Sequence, residues 1–209
     1  MRMLTTVATA ALTLLIIGLT PAHSAEWGLK PGKVELKSAG PLAFGPDHIL
    51  FVGDPKAATV YAIDTGDKAM DTKKVTLNID AFHAKAAAAC GAPAVKIEDM
   101  AVNPASGNAY FSVSDNDGDA AVLRLDAKGH LTKVSLDGIA HSKAVLPNPP
   151  ADKVVGEGRR RGNRRMESIT DLAYHENKVY VSGLRGDNPL AGISEVPFPV
   201  VGQMIDAGI

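Results

Sequence analysis

Apolar residues recur at every second position in short runs along most of this chain. Leu42 and Phe44, then Ile49 and Phe51, then Thr59, Tyr61 and Ile63 follow that period, which is the signature of half-buried β-strands. Clusters of Gly, Pro, Asp and Asn punctuate the runs, such as Gly45-Pro46-Asp47 and Gly53-Asp54-Pro55. One unit occurs three times: GPLAFGPDHILFVGD at residues 40–54, IEDMAVNPASGNAYFSVSD at 97–115 and SITDLAYHENKVYVSGL at 168–184. Each begins with a short alternating strand, turns on polar residues and runs out along a second strand.

Further strands extend each unit. The segments YAID (61–64) and LRLD (123–126) both end a third strand on Asp before a turn, and KKVTLNI (73–79) reads as the fourth, outer strand of the first unit. The second unit continues through residues 122–126 and 131–136. The third continues with ISEVPF after a turn around Gly186-Asp187-Asn188-Pro189. Four short antiparallel strands closed by tight turns make one blade of a β-propeller. The predicted fold class is therefore all-β, with about three propeller-type blades at residues 38–79, 97–137 and 167–205 forming an incomplete ring. Residues 80–90 break the pattern: Asp80 can cap, AFHAKAAAAC favours helix, and Gly91 with Pro93 stops it, giving one short helical insertion. Residues 138–166 read as a long irregular loop, rich in Pro and then Arg. Leu42, Met100 and Leu172 lie 58 and 72 residues apart. Both spacings exceed the roughly 40–50 residues of a plain propeller repeat, as insertions would make them. Since propellers close with about 4–8 blades, three imply open faces and self-association through open blade edges.

The start of the chain changes the expected location. Met1-Arg2-Met3 precedes an uncharged apolar and hydroxylic run, and PAHSA offers small residues for cleavage, so residues 1–25 read as a signal peptide and residues 26–209 as the exported domain, periplasmic or extracellular. Cleavage after Ser24 competes with cleavage after Ala25. The apolar run falls just short of the roughly 20 residues that span a bilayer, so no stable membrane anchor is expected after cleavage. Removing these residues takes away Arg2 alone among charged groups and leaves a net charge of −2 from the full chain's −1. That balance argues against nucleic acid as a partner. With one cysteine, Cys90, the chain has no intrachain disulfide.

The stretch LAFGPDHILFVGD…ATVYAID resembles the secreted propellers of the NHL, gluconolactonase and regucalcin group. IEDMAVNPASGNAYFSVS, SITDLAYHENKVYVSGL and the VPFP tail are similar to a bacterial family of exported propeller proteins without assigned activity. The resemblance covers about residues 40–199. Members of that family are about twice as long, which implies that this chain is a truncated member.

Candidate chemistry gathers at the starts of inner strands. Glu98-Asp99 and Asp171, with Glu167 just upstream, occupy equivalent positions that would face a central channel. Regucalcin-like lactonases place acidic and Asn residues in this way around a divalent cation that polarises a lactone carbonyl and activates water. A divalent cation such as calcium is the cofactor to test here, with Asp99 and Asp171 as candidates by position, while the lactonase ligand set does not carry over residue by residue. The plainer reading is that these Asp residues cap turns and solvate the channel; Gly40 and Pro41 fill the position in the first unit, and a hard cation needs several oxygens. DNDGD at 115–119 reads as a polar hairpin turn rather than a calcium loop. Arg159, Arg160, Arg161, Arg164 and Arg165 form a basic run suited to a phosphate, a sulfated sugar or a lipid head-group surface, or simply to a solvated loop. None of the six histidines has ligand spacing, and nucleophile-elbow, haem and nucleotide motifs are absent. Two functions follow: an exported binding or scaffold module without catalysis, for a small molecule or protein partner, and alternatively a metal-dependent lactonase-like hydrolase.

Overall fold

The structure, a computed structural model, describes residues 27–68, 77–186, 190–200 and 205–207. Its strands are β1 (Lys30–Gly32), β2 (Leu42–Phe44), β3 (Ile49–Asp54), β4 (Thr59–Asp64), β5 (Val95–Val102), β6 (Ala109–Asp115), β7 (Ala120–Leu125) and β8 (Leu131–Lys133). They continue as β9 (Ile139–Val145), β10 (Val154–Val155), β11 (Gly162–Asn163), β12 (Asp171–His175), β13 (Lys178–Arg185), β14 (Leu190–Pro197) and β15 (Ile205–Ala207), with one helix, α1 (Phe82–Cys90). The first sheet has the order β1-β9-β4-β3-β2, the second β5-β6-β7-β8 and the third β12-β13-β14-β15; β10 and β11 form a separate hairpin. All pairings are antiparallel. The architecture is propeller-type and all-β, with open sheets of four or five strands.

Space reorders the sheets. One face of the first sheet, with Ile49, Phe51, Val60 and Ala62, packs on Leu172, Val179, Val181 and Val196 of the third. The opposite face, with Leu42, Leu50, Val52, Tyr61 and Ile63, packs on Tyr110 and Val122 of the second. The first sheet is thus central, which explains why ILFVGD in β3 is buried at every position: a strand covered on both faces loses the apolar–polar alternation. Full burial of one such side chain contributes about 1.5–3 kcal/mol, so Ile49 to Val52 anchor both interfaces at once.

Three sequence expectations are corrected here. The fourth position of the first sheet belongs to β9, paired with β4 from Thr59↔Val145 to Ile63↔His141. Of the segment 73–79 assigned to it, residues 73–76 lie outside the described residues and 77–79 form no strand. The supposed irregular connection therefore contains a seven-residue strand, followed by the β10–β11 hairpin and two 3-10 turns. IAHSKAV carries few large apolar residues because it lies toward the sheet's outer margin; burial of Ala144 and Leu146 holds it. Asp80 does not cap α1 either. The N-cap is Ala81, with φ 53° and no side-chain cap. The C-terminal end behaves as expected, with Gly91 at φ 70° donating its N–H to the last-turn carbonyls.

Helix α1 covers the far face of the second sheet. Ala86 meets the group formed by Phe111, Val113, Leu123 and Leu125, and the rings of Phe82 and Phe111 lie 4.8 Å apart. Cys90 belongs to the same apolar layer, and burial pushes its thiol pKa up. The signal peptide, residues 1–25, lies outside the described residues. Among the described residues, no helix is long and apolar enough to cross a membrane.

Candidate functional site

The inner strands β2, β5 and β12 bring their starts together around a cavity of about 390 Å3, whose wall includes Gly40, Pro41, Lys96, Glu98, Asp99 and Asp171. Three of the four carboxylates singled out from sequence therefore share one cavity. Glu167 does not: it pairs with Arg164 at 2.9 Å and lines a separate cavity on the third sheet.

Each carboxylate in the cavity is engaged. Asp99 Oδ2 accepts the backbone N–H of Leu42 at 2.7 Å, and the neighbouring strand adds Ser112, whose hydroxyl donates to the Gly40 carbonyl at 2.6 Å. Together they clip the first sheet's inner strand to the second sheet. A register shift between Ile97 and Asp99 offsets the two acids. Glu98 accepts Ser114 Oγ at 2.5 Å and Lys96 Nζ at 2.7 Å. Asp171 Oδ1 accepts the N–H of Leu172 at 2.8 Å. This set does not fit a calcium ion, which takes about 6–8 oxygens. Asp99 and Glu98 already serve protein donors, which leaves too few free oxygens on this wall for such a shell. Among the described residues, no three His, Cys, Asp or Glu side chains are grouped to hold a metal.

The basic run is divided rather than assembled. Arg164 is tied to Glu167, and Arg165 Nε donates to the Pro150 carbonyl at 2.6 Å. Arg159 and Arg161 are exposed, and the side chain of Arg160 lies outside the described residues. The DNDGD segment is a turn: Asp115 Oδ1 accepts the N–H groups of Asp117 and Asp119, at 2.9 and 2.8 Å.

A buried polar cluster escaped the sequence reading. Asp67 is 7% exposed, and its carboxylate accepts four side-chain donors. Ser106 Oγ, Asn103 Nδ2 and Tyr110 OH reach Oδ2 at 2.6, 3.1 and 3.0 Å, and Asn108 Nδ2 reaches Oδ1 at 2.9 Å. Burial, with the Asp67 charge beside it, pushes the Tyr110 phenol well above its ordinary pKa. The signal was present in the turn N-P-A-S-G-N: a turn needs the glycine, whereas three further hydrogen-bonding side chains at 103, 106 and 108 exceed what a solvated turn requires. Asp54 acts similarly at the other end of the first sheet, holding Lys37 N, Ser38 Oγ and Ala57 N.

A larger cleft, about 700 Å3, opens between the first and second sheets beside Tyr110. Tyr110, Arg124 and Thr132 form a cross-strand row on its wall, whereas Lys133 pairs with Leu123 on the helix-covered face, where its charge acts on Cys90. Size alone favours this cleft. The smaller cavity is the stronger site because charged side chains from β5 and the start of β12 converge on it.

No family model and no curated protein matches this chain. Among solved structures, a streptogramin B lyase structure is similar at 14% identity with a TM-score of 0.23, over 88% of this chain and 47% of that one. The chain thus spans about half the length of that structure. At that TM-score the likeness carries no weight for function, and the propeller-type architecture rests on the repeated sheets.

Proposed function

We propose that this chain is an exported propeller-type binding module that takes a small cationic ligand at the cavity formed by the starts of its inner strands. The charge of the wall supports the reading: Glu98, Asp99 and Asp171 face a single Lys96. An ammonium or guanidinium group entering there gains from the surplus negative charge and needs no desolvated multi-oxygen cage. A hydrolase needs a group free to activate water, whereas Asp99 and Glu98 are occupied in holding strands together. Export is supported by the signal-type sequence of residues 1–25.

Calorimetric titration of the purified chain with spermidine tests the ligand class, with CaCl2 and a δ-lactone hydrolysis assay in parallel. Binding is expected at low salt, weakening as the Debye length falls below about 10 Å, and Asp171→Asn weakens it further. Absence of spermidine binding rejects the cationic ligand. Lactone turnover lost in both Asp99→Asn and Asp171→Asn would establish the hydrolase reading instead. Export predicts a chain beginning at Glu26 or Ala25 outside the cytoplasm; retention of full-length chain inside the cell rejects it.

A further inference from the structure

The three sheets repeat one another at the level of faces. On the second sheet, the face turned to the first carries Asp99 opposite Ser112, Ala101 opposite Tyr110, and beyond them Val122 and Arg124. The same register on the third sheet gives Asp171 opposite Ser182, Ala173 opposite Tyr180, and beyond them Ile193 and Glu195. Four of these six positions are identical, and Val122 against Ile193 is conservative.

In the second sheet this face is a docking device with known contacts. Asp99 takes the Leu42 N–H, Ser112 donates to the Gly40 carbonyl, and Tyr110 is buried with its ring edge-on to Phe44 at 5.2 Å between centroids. In the third sheet the opposite face is the one packed on the first sheet, through Leu172, Val179 and Val181. The face bearing Asp171 and Ser182 therefore points away. Asp171 and Ala173 are exposed and Ile193 is 41% exposed. Among the described residues, Ser182 Oγ bonds to Thr170 Oγ1 just ahead of β12, at 2.9 Å. A shallow cavity of about 380 Å3 lies on this face, lined by Ser182, Leu184, Ala191 and Ile193. The two ends of the stack also differ: α1 covers the outer face of the second sheet, and no described element covers that of the third.

We propose that the outer face of the third sheet is a docking surface for a blade-type β-sheet of a partner polypeptide, gripped as the second sheet grips the first. The partner presents a Leu/Val/Ile face and an inner strand whose N–H meets Asp171 and whose carbonyl, two residues earlier, meets Ser182. Glu195 stands where the second sheet has Arg124 and is already paired with Lys178 at 2.5 Å, so this outer position presents an ion pair where the second sheet presents a cation.

The probe is a synthetic hairpin of residues 38–54, closed at its ends by a disulfide; these residues supply the Gly40, Leu42, Leu50 and Val52 groups already held by the equivalent face. It is added to isotope-labelled full chain, with the hairpin's own spectrum confirming that it is folded. At roughly millimolar peptide, amide shifts are expected at Asp171, Ala173, Tyr180, Ser182 and Ile193. Asp171→Asn and Ser182→Ala weaken binding, together by about tenfold, and a hairpin with Leu42→Asp does not bind. Absence of shifts at these positions, or shifts indifferent to both substitutions, overturns the proposal. Shifts confined to the second sheet, by displacement of its own contacts, overturn it as well.

Discussion

Replacing Asp67 by alanine removes the acceptor for four side-chain donors in a site 7% exposed. The hydroxyls of Ser106 and Tyr110 can rotate toward other acceptors, and Asn103 Nδ2 keeps the Asp67 carbonyl at 3.1 Å. Asn108 has least recourse: among the described residues its Oδ1 already lacks a partner, and the substitution removes the one given for Nδ2. Each buried donor left unsatisfied costs about 1–3 kcal/mol, offset in part by relief of carboxylate desolvation. The expected loss is about 3–5 kcal/mol, a large share of a typical domain stability of about 5–15 kcal/mol. Asp67→Asn, which keeps one acceptor oxygen, loses about half as much. Urea unfolding followed by the fluorescence of Trp27, stacked on Phe198 at 5.3 Å, reads the change. With a slope of about 2 kcal/mol/M, the alanine midpoint falls by roughly 1.5–2.5 M at unchanged slope. A fall below about 0.5 M would refute the reasoning, because a carboxylate that matters so little is not the acceptor for a buried cluster.

Other consequences are equally open to measurement. Gly183→Ala drives a Cβ into the backbone of Ser168 at a φ of 157°, so the loop preceding β12 must shift; a loss of about 2–4 kcal/mol is expected in thermal or urea unfolding, and a neutral result would contradict the close approach. Because burial raises the Tyr110 pKa, its neutral form is favoured by folding. That stability is complete below the unfolded phenol pKa near 10 and is lost as pH climbs from there toward the folded value. Tyr110→Phe should lower stability at neutral pH but flatten the alkaline decline, with a residual slope from Tyr61 and Tyr174, whose pKa values burial also raises. An unchanged slope contradicts this. Ala86→Glu buries a charge between α1 and the second sheet, and a loss of helix signal with retained sheet signal in circular dichroism is expected.

Sequence periodicity reached the sheets but not their order in space. The strands around Leu42, Met100 and Leu172 were legible because turn residues and period-two alternation mark them. β9 was not: IAHSKAV has no run of large apolar residues, since a strand near the sheet margin is held mainly by pairing, and its partner β4 lies 75 or more residues earlier in the chain. Local pattern cannot report so distant a pairing. The inner-strand acids were found by aligning repeats, but their roles depend on neighbours that alignment does not supply. Asp99 has Leu42 beside it, and Asp171 does not. Asp67 was missed because a single Asp after a strand looks like any turn residue; its four partners are 36 to 43 residues away.

The central claim is that Asp99 ties one sheet to the next rather than serving as a metal ligand. Thermal unfolding of the native chain and of Asp99→Ala, each with and without CaCl2, tests it most directly. Losing a charge-assisted bond to the Leu42 N–H costs about 2 kcal/mol, which corresponds to a fall in Tm of about 4–8 °C for a chain of this size. The account predicts that fall with and without calcium, and no calcium shift in the native chain. A native Tm that rises with calcium, and a rise that disappears in Asp99→Ala, would contradict it.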